Sequence, residues 1–366
     1  MARTWLRPVI AARRQLILFM PGRRGRETAV HHPLWDQIVA LLPEGVQVPT
    51  LDYDRVLESG EQHPWLYANL ESVPYRGLPV KQRWWQLKNG ALLDKRDVES
   101  FSSLQDFVNV PHRWVLNHKA RLSPGSLAKI GEDNRQKGAL LHRLFEWLFT
   151  SQELDWRTVD LPALQGWVDT HFPVLLEQEG ANYLLLGKGR EAEELRMTAV
   201  SAAWALMGHL RGAKSEAVHM EEAAEGSYCG GRLAGRIDML VSGSAGREAV
   251  LDLKWGWFTY RCAELRENRQ LQLAVYAVMR KQATTKWPDQ AYFILDEARM
   301  AMQNNNYFEK ASVCAPTEDY ANTQTLWVAF EETWTWRRGQ LDAGRIELNV
   351  EGTEPDEHSL PPDSAL

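Results

Sequence analysis

Two carboxylates and a lysine stand where the surrounding chain is apolar. Asp238 interrupts the β-prone run Ile237–Val241, and Asp252 interrupts Ala249–Leu253, which ends at Lys254. Between them, residues 242–248 (SGSAGRE) are turn chemistry, so the two runs read as a β-hairpin. With the hairpin centred on Ala245, Asp238 and Asp252 lie directly across from each other. Like charges in that position destabilise a strand pair. A cation between them removes the penalty, and a divalent ion inverts the local electrostatics. Asp252 and Lys254 are two residues apart, so both leave one strand face while Leu251 and Leu253 point into the core. Beside a metal ion, Lys254 can hold a scissile phosphate and help activate an attacking water. Upstream, His219 and Glu221 alternate with Val218 and Met220 as on a third strand, which delivers Glu221 to the same region, with Glu222 as the competing choice. Oxygen donors of this kind suit Mg²⁺ or Mn²⁺ rather than zinc.

Two helices must flank this hairpin. Residues 265–281 have helical spacing, with Leu271, Val275 and Val278 as the buried stripe and Gln272 and Tyr276 four apart on the neighbouring face. That face can reach the site or a DNA backbone, or be a half-buried polar edge. Around Gly138–Phe149, six apolar residues from Leu140 to Phe149 form a second stripe with His142 at its margin. A histidine there is a solvated residue or, if the helix packs over the hairpin, a metal ligand. Further helices are expected over about 34–42, 102–117, 161–178, 190–211 and 320–341, and strands at Gln15–Met20 and Ala291–Leu295. Helices first, strands in the middle and then alternation make this a mixed α/β protein.

The 366 residues are 44% hydrophobic and 25% charged, as in globular domains. No apolar run is long enough to span a membrane, and the run Leu16–Met20 is too short for a signal-peptide core. Cys229, Cys262 and Cys314 are widely spaced, which excludes a disulfide scaffold and a four-cysteine metal site and fits a cytoplasmic location. Net charge is −6, so nucleic acid must be met by a local basic surface. Residues 1–26 hold seven arginines, and residues 342–366 hold seven acids against Arg345. From residue 346 this composition reads as an acidic, disordered tail. Most of the sixteen tryptophans are expected in the core, although Arg83-Trp84-Trp85 and Arg113-Trp114 are of a kind that stacks on single strands.

Taken together, Gly235-Arg236-Ile237-Asp238, Asp252-Leu253-Lys254, Gln272 with Tyr276, and Gly138 with His142 resemble the PD-(D/E)XK nuclease superfamily in its RecB-like branch. The family pattern is G-x-I-D paired with D-x-K, followed by a Q-x-x-x-Y helix and preceded by a G-x-x-x-H helix. Ser102-Ser103-Leu104, followed by Pro111 and Trp114, is similar to the opening of AddB-type nuclease domains. Val110 stands where iron–sulfur members carry a first cysteine, and the closing cysteine trio is missing, so no iron–sulfur cluster is expected. The resemblance implies a restriction-endonuclease-like mixed sheet flanked by helices, with helical additions. It places the nuclease domain at residues 96–345, behind a segment 1–95 weakly similar to the tail of an AddB-type helicase core.

It further implies His142, Asp238 and Asp252 as metal ligands, joined by Glu221 and the carbonyl of Leu253, and Lys254 as the catalytic lysine. Gln272 and Tyr276 would be accessory. The activity implied is Mg²⁺- or Mn²⁺-dependent hydrolysis of DNA in repair or in defence against foreign DNA. The chain has no G-x-x-x-x-G-K-[ST] phosphate loop, so a helicase partner would be a separate chain. The competing reading is a non-catalytic DNA-binding or scaffold subunit on the same fold.

Overall fold

Two long strands carry the architecture. In the computed structural model, which describes residues 12–13, 18, 23–24, 27–28, 33–43, 45–48, 82–122, 134–318 and 320–348, the chain divides into two compact units, Met1–Leu78 and Pro79–Leu366. In the first, strands β1 (Arg23–Arg24) and β2 (Glu27–Thr28) pair antiparallel, and helix α1 spans Pro33–Ala40. The expected strand Gln15–Met20, most of the arginine-rich head, and the tail beyond residue 348 lie outside the described residues.

In the second unit, β3 (Trp84–Gln86) and β4 (Val98–Glu99) precede α2 (Phe101–Asn109). Ser100 caps α2, its hydroxyl accepting from the Ser103 amide while Ser103 answers at the Ser100 amide. The single helix expected over 102–117 breaks at Val110, because Pro111 cannot continue the hydrogen-bond ladder; a π-helical stretch, Trp114–Lys119, follows. Then come α3 (Asn134–Thr150), α4 (Leu161–Glu179) and α5 (Gly189–Gly212). Strands β5 (Ala217–Tyr228), β6 (Gly231–Gly243) and β7 (Arg247–Lys254) form the meander. The helix expected over 265–281 is two, α6 (Phe258–Arg266) and α7 (Leu271–Thr284), separated where Asn268 takes a left-handed conformation. Strands β8 (Asp289–Ile294), β9 (Arg299–Met302) and β10 (Ser312–Val313), helix α8 (Thr323–Asp342) and strand β11 (Arg345–Glu347) complete the chain.

Seven strands form one mixed sheet in the order β10-β9-β8-β7-β6-β4, with β5 on the remaining edge of β6. The parallel pairs are β7 with β8, β10 with β9 and β4 with β6; the other pairs are antiparallel. One face of the sheet packs under α3, α4 and α5, through Leu251, Leu253 and Phe293 against Leu141, Phe145 and Leu206. The other packs under α2, α6, α7 and α8, through Val250, Tyr292 and Ile294 against Val275, Val278 and Phe330. This period-two division of β7 and β8 is what a strand covered on both faces requires.

The β5–β6 pair departs from that period at one point. Ile237 joins one core layer, whereas Met239 and Val241 join the other. On β5 the same exchange separates Val218 and Met220 from Ala224 and Tyr228. The ladder runs Met220↔Met239 and then Glu222↔Ile237, with the register unchanged across the gap. Glu221 sits in the gap with φ +50°, opposite Asp238. Both strands therefore turn over together at Glu221 and Asp238.

Further sequence expectations change. Residues 346–347 are not tail: β11 pairs with β3, and Glu347 is buried between Arg83 and Arg337. Residues 84–86 thereby join the same unit as the nuclease-like region rather than ending with the segment 1–95. Cys262 and Cys314, 52 residues apart in sequence, form a disulfide between α6 and the end of β10; the spacing argument could not see a contact that only the fold makes. Among the described residues, no helix is long and apolar enough to cross a membrane.

Candidate active site

The hairpin is centred where the sequence places it. Pairs Gly243↔Arg247 through Met239↔Leu251 are symmetric about Ala245, whose left-handed φ of +59° closes the turn. The ladder stops one step short of Asp238 and Asp252, so the two acids face each other at its open end. Asp238 is not left loose there, because its Oδ2 accepts from the Leu253 amide at 2.9 Å.

Three side chains converge at this point. Ligand atoms of His142, Glu221 and Asp238 all lie within 4.8 Å of one another. His142 reaches in from α3, Glu221 from the break in β5 and Asp238 from the matching break in β6. The turnover of the strand pair is what aims both acids at the site instead of into a core layer. Glu222, the competing choice, is back in the regular ladder opposite Ile237.

Histidine orientation is held by backbone. His142 Nε2 is 2.7 Å from the Leu253 carbonyl, while Nδ1 lies 3.8 Å from Asp238 Oδ2. If Nε2 carries the proton and donates to that carbonyl, the lone pair on Nδ1 faces the acids, the usual arrangement for a metal-binding imidazole. Burial lowers the His142 pKa, which keeps the ring neutral. The Leu253 carbonyl is thus engaged with His142 as well as standing at the site.

Asp252 is fully buried and stands apart from that trio, beside Lys254. The ammonium lies 2.9 Å from Asp252 Oδ1 and 2.7 Å from Oδ2, and donates at 3.1 Å to Gln272 Oε1. The ammonium therefore faces both oxygens of the buried carboxylate. The pKa of Asp238 is raised well above the ordinary carboxylate value, first by burial and then by the negative charge of Asp252. One lysine for three acids leaves the cluster short of positive charge.

The α7 residues divide in role. Gln272 reaches Lys254, whereas Tyr276 is 7% exposed, too buried to meet a DNA backbone. The Tyr276 ring packs against Gly235, where a Cβ would stand 3.1 Å from Cε1. Burial and the Asp238 charge push its hydroxyl up to about 12, while Gln272 hydrogen-bonds it. Gly138 is less constrained, since a Cβ there would make an ordinary 3.5 Å contact with Trp255.

His142, Glu221, Asp238, Leu253 and Lys254 line an open cleft of about 630 Å³ that also contains Arg135, Arg143, Glu146, Glu179 and Trp255. Sequence reasoning did not single these out. Glu146 carried a signal, because it follows His142 by four on the same helix and so shares its face. Arg143 bridges Glu146 at 2.6 Å and Glu179 at 3.4 Å. Nothing local marks Glu179, which α4 supplies. Trp114, one of the suggested stacking residues, is fully buried with its Nε1 donating to Glu99, whereas Trp85 is half exposed.

Two facing carboxylates, one of them fully buried, an adjoining lysine and a Q-x-x-x-Y helix on a mixed sheet now have defined geometry. The chain matches the description of the PD-(D/E)XK nuclease superfamily over residues 99–346. It belongs to that superfamily. The matched span runs from the last residue of β4 into β11, and so takes in the other six strands of the sheet with its flanking helices. Comparison with curated proteins gives no match.

The family implies a divalent metal, and the residues present fit one. Two carboxylates and an imidazole converge, and the charge of Asp252 raises the cost of ionising Asp238 when no cation is present. Oxygen-rich donors with a single nitrogen suit Mg²⁺ or Mn²⁺.

Proposed function

We propose that this protein is a divalent-metal-dependent DNA nuclease that hydrolyses phosphodiester bonds. The observation that carries this reading is the meeting of His142, Glu221 and Asp238 in one open cleft with Lys254, whose ammonium Asp252 and Gln272 hold from behind. His142, Glu221 and Asp238 would hold the ion, with Asp252 and the Leu253 carbonyl as further oxygen donors. Such an ion, Mg²⁺ or Mn²⁺, supplies Lewis-acid stabilisation to a phosphodiester oxygen when bound.

The remaining work falls to the chain itself. Lys254 donates to the scissile phosphate and holds the attacking water in line with the leaving oxygen. Asp252 and Gln272 fix the ammonium, so that it need not reorganise as charge develops. Tyr276 holds Gln272 and seats α7 against Gly235. Arg135 and Arg143 at the cleft offer cations to flanking phosphates.

The Ser102–Trp114 segment supports the RecB-like, AddB-type branch, and the absence of a phosphate loop supports a helicase or other motor supplied by another chain. Repair and antiphage defence are the processes that suit such a pairing. The test is cleavage of end-labelled single- and double-stranded DNA, linear and circular, in Mg²⁺, Mn²⁺ or EDTA, with Asp252→Ala alongside. Metal-dependent cutting that the variant loses supports the reading; DNA binding without cutting in every metal points to the scaffold alternative.

A further inference from the structure

We propose that Trp257 and Tyr260 form a stacking subsite beside the cleft, which takes an unpaired nucleobase of the strand that Lys254 engages. The inference rests on the nuclease reading above.

Position is the first argument. Trp257 follows Lys254 by three residues where β7 ends, and Trp255 between them lines the cleft. Trp257 is 69% exposed and Tyr260, one turn into α6, is 50% exposed. Their ring centroids are 6.3 Å apart at 78°, so the edge of one ring meets the face of the other. Flat aromatic surface is left to solvent within six residues of the strand end that carries Lys254.

Trp257 also does little for folding. Its backbone is left-handed, φ +72° and ψ +46°, at the cap of α6, and its side chain makes no cap hydrogen bond. A bulky residue is strained there, and a glycine adopts the same conformation freely. An exposed ring on a strained backbone gains neither burial nor capping. Strain of this kind at the rim of a site points to a ligand contact.

The surroundings favour a nucleotide over an apolar partner. Lys137 Nζ lies 5.5 Å from the Trp255 ring, and the Arg261 guanidinium, paired with Glu264 at 2.6 Å, lies 5.1 Å from the Tyr260 ring. Cations interleaved with aromatic faces are how proteins hold a single strand, phosphates on the charges and bases on the rings. A paired base has both faces covered by its neighbours in the duplex. The subsite therefore selects strands whose bases are free: single strands, frayed ends and gaps.

The experiment uses the full chain and fluorescein-labelled oligonucleotides in EDTA at low salt, with anisotropy as the readout, so that binding is measured apart from cutting. Trp257→Leu should weaken single-strand binding about ten-fold, within the range for loss of one stacked base, and leave duplex binding unchanged. Trp257→Phe should retain most of the affinity. Trp257→Gly should lose it as Trp257→Leu does, while its melting temperature holds or rises, which separates the ring from the fold. An oligonucleotide of abasic sites should bind the wild type weakly, with no further loss in Trp257→Leu.

Wild-type single-strand affinity in Trp257→Leu, equal losses on single and double strands, or no single-strand binding by the wild type would each overturn the proposal. The first of these results would leave the exposed pair to a protein partner. Cleavage in Mg²⁺ is read separately: a protein that binds single strands through Trp257 and cuts nothing sinks the nuclease reading and leaves the subsite standing.

Discussion

Two clusters of buried charge lie in the same unit and are built on opposite principles. Glu347 sits between two arginines, with Arg83 Nη2 2.7 Å from Oε1 and Arg337 Nη1 2.6 Å from Oε2. Each of its oxygens has a fixed cation. Nearby, Glu99 accepts from Arg96, Ser103 and Trp114. At the active site Lys254 pairs with Asp252, and the charges of Asp252 and Glu221 raise the cost of ionising Asp238 instead of cancelling it. A buried acid with internal cations is a staple. Acids that face each other at the edge of the core are a site waiting for an external one.

The staple should break hardest. Glu347→Ala leaves Arg337, 7% exposed, without its carboxylate in a protein interior. Removing one partner of a buried pair costs about 3–5 kcal/mol. For a unit of this size that lowers the melting temperature by on the order of 10 °C, read by calorimetry, and added Mg²⁺ should not restore it.

Lys254→Met should do the reverse, with activity as the main loss. Withdrawing one donor aimed at a developing charge typically lowers the rate by about 10²–10³-fold, or 3–4 kcal/mol. Single-turnover cleavage at saturating protein isolates that step. A variant that cuts as fast as the wild type would remove Lys254 from the chemistry.

Asp238→Asn sharpens the contrast further, because here a loss of charge should stabilise. An amide oxygen can still accept from the Leu253 amide, and the repulsion with Asp252 is gone. Without metal, the variant should be more stable than the wild type at neutral pH by on the order of 1–3 kcal/mol. The sign follows from the raised pKa of Asp238. The folded protein binds a proton that the unfolded chain releases, so the wild type loses stability as pH rises from about 4 through the raised value. The advantage of the variant should therefore be full above that value and shrink as pH falls through it. Urea denaturation of both proteins across that range measures the difference directly. Millimolar Mg²⁺ should raise the melting temperature of the wild type and not of the variant, since an ion that binds only the folded state stabilises it by mass action. Equal Mg²⁺ shifts in both proteins would take Asp238 out of the metal site.

How far the sequence showed this difference depends on where each charge finds its partner. Asp238, Asp252 and Lys254 were legible because they interrupt apolar runs on either side of a turn, and period two with a two-fold hairpin places them without further information. Gln272 was legible as a helical neighbour of Tyr276, but the depth of Tyr276 was not, since periodicity gives a direction and not how much of the sheet lies beneath. Glu221 could be placed near the site, but not by the simple alternation assumed for it. Its positive φ turns the strand over, and nothing in a glutamate announces that. Glu347 read as one acid among seven in a tail, because composition cannot distinguish a solvated acid from a buried one. Its partner Arg83 is 264 residues away. The disulfide of Cys262 with Cys314 was hidden for the same reason.

The smallest effect tests how finely the site is set. Gly235 stands where the Tyr276 ring passes, and a methyl group there would lie 3.1 Å from Cε1, so the ring must yield by a few tenths of an ångström. Gly235→Ala should cost on the order of 1 kcal/mol in stability, the low end of overpacking in a close-packed interior. Tyr276 is hydrogen-bonded to Gln272, and Gln272 holds the Lys254 ammonium, so the displacement passes to the catalytic lysine. Cleavage should fall several-fold while Mg²⁺ still raises the melting temperature as in the wild type. A variant that loses stability but keeps its full single-turnover rate would show that the Tyr276–Gln272 link braces the fold without setting the position of Lys254.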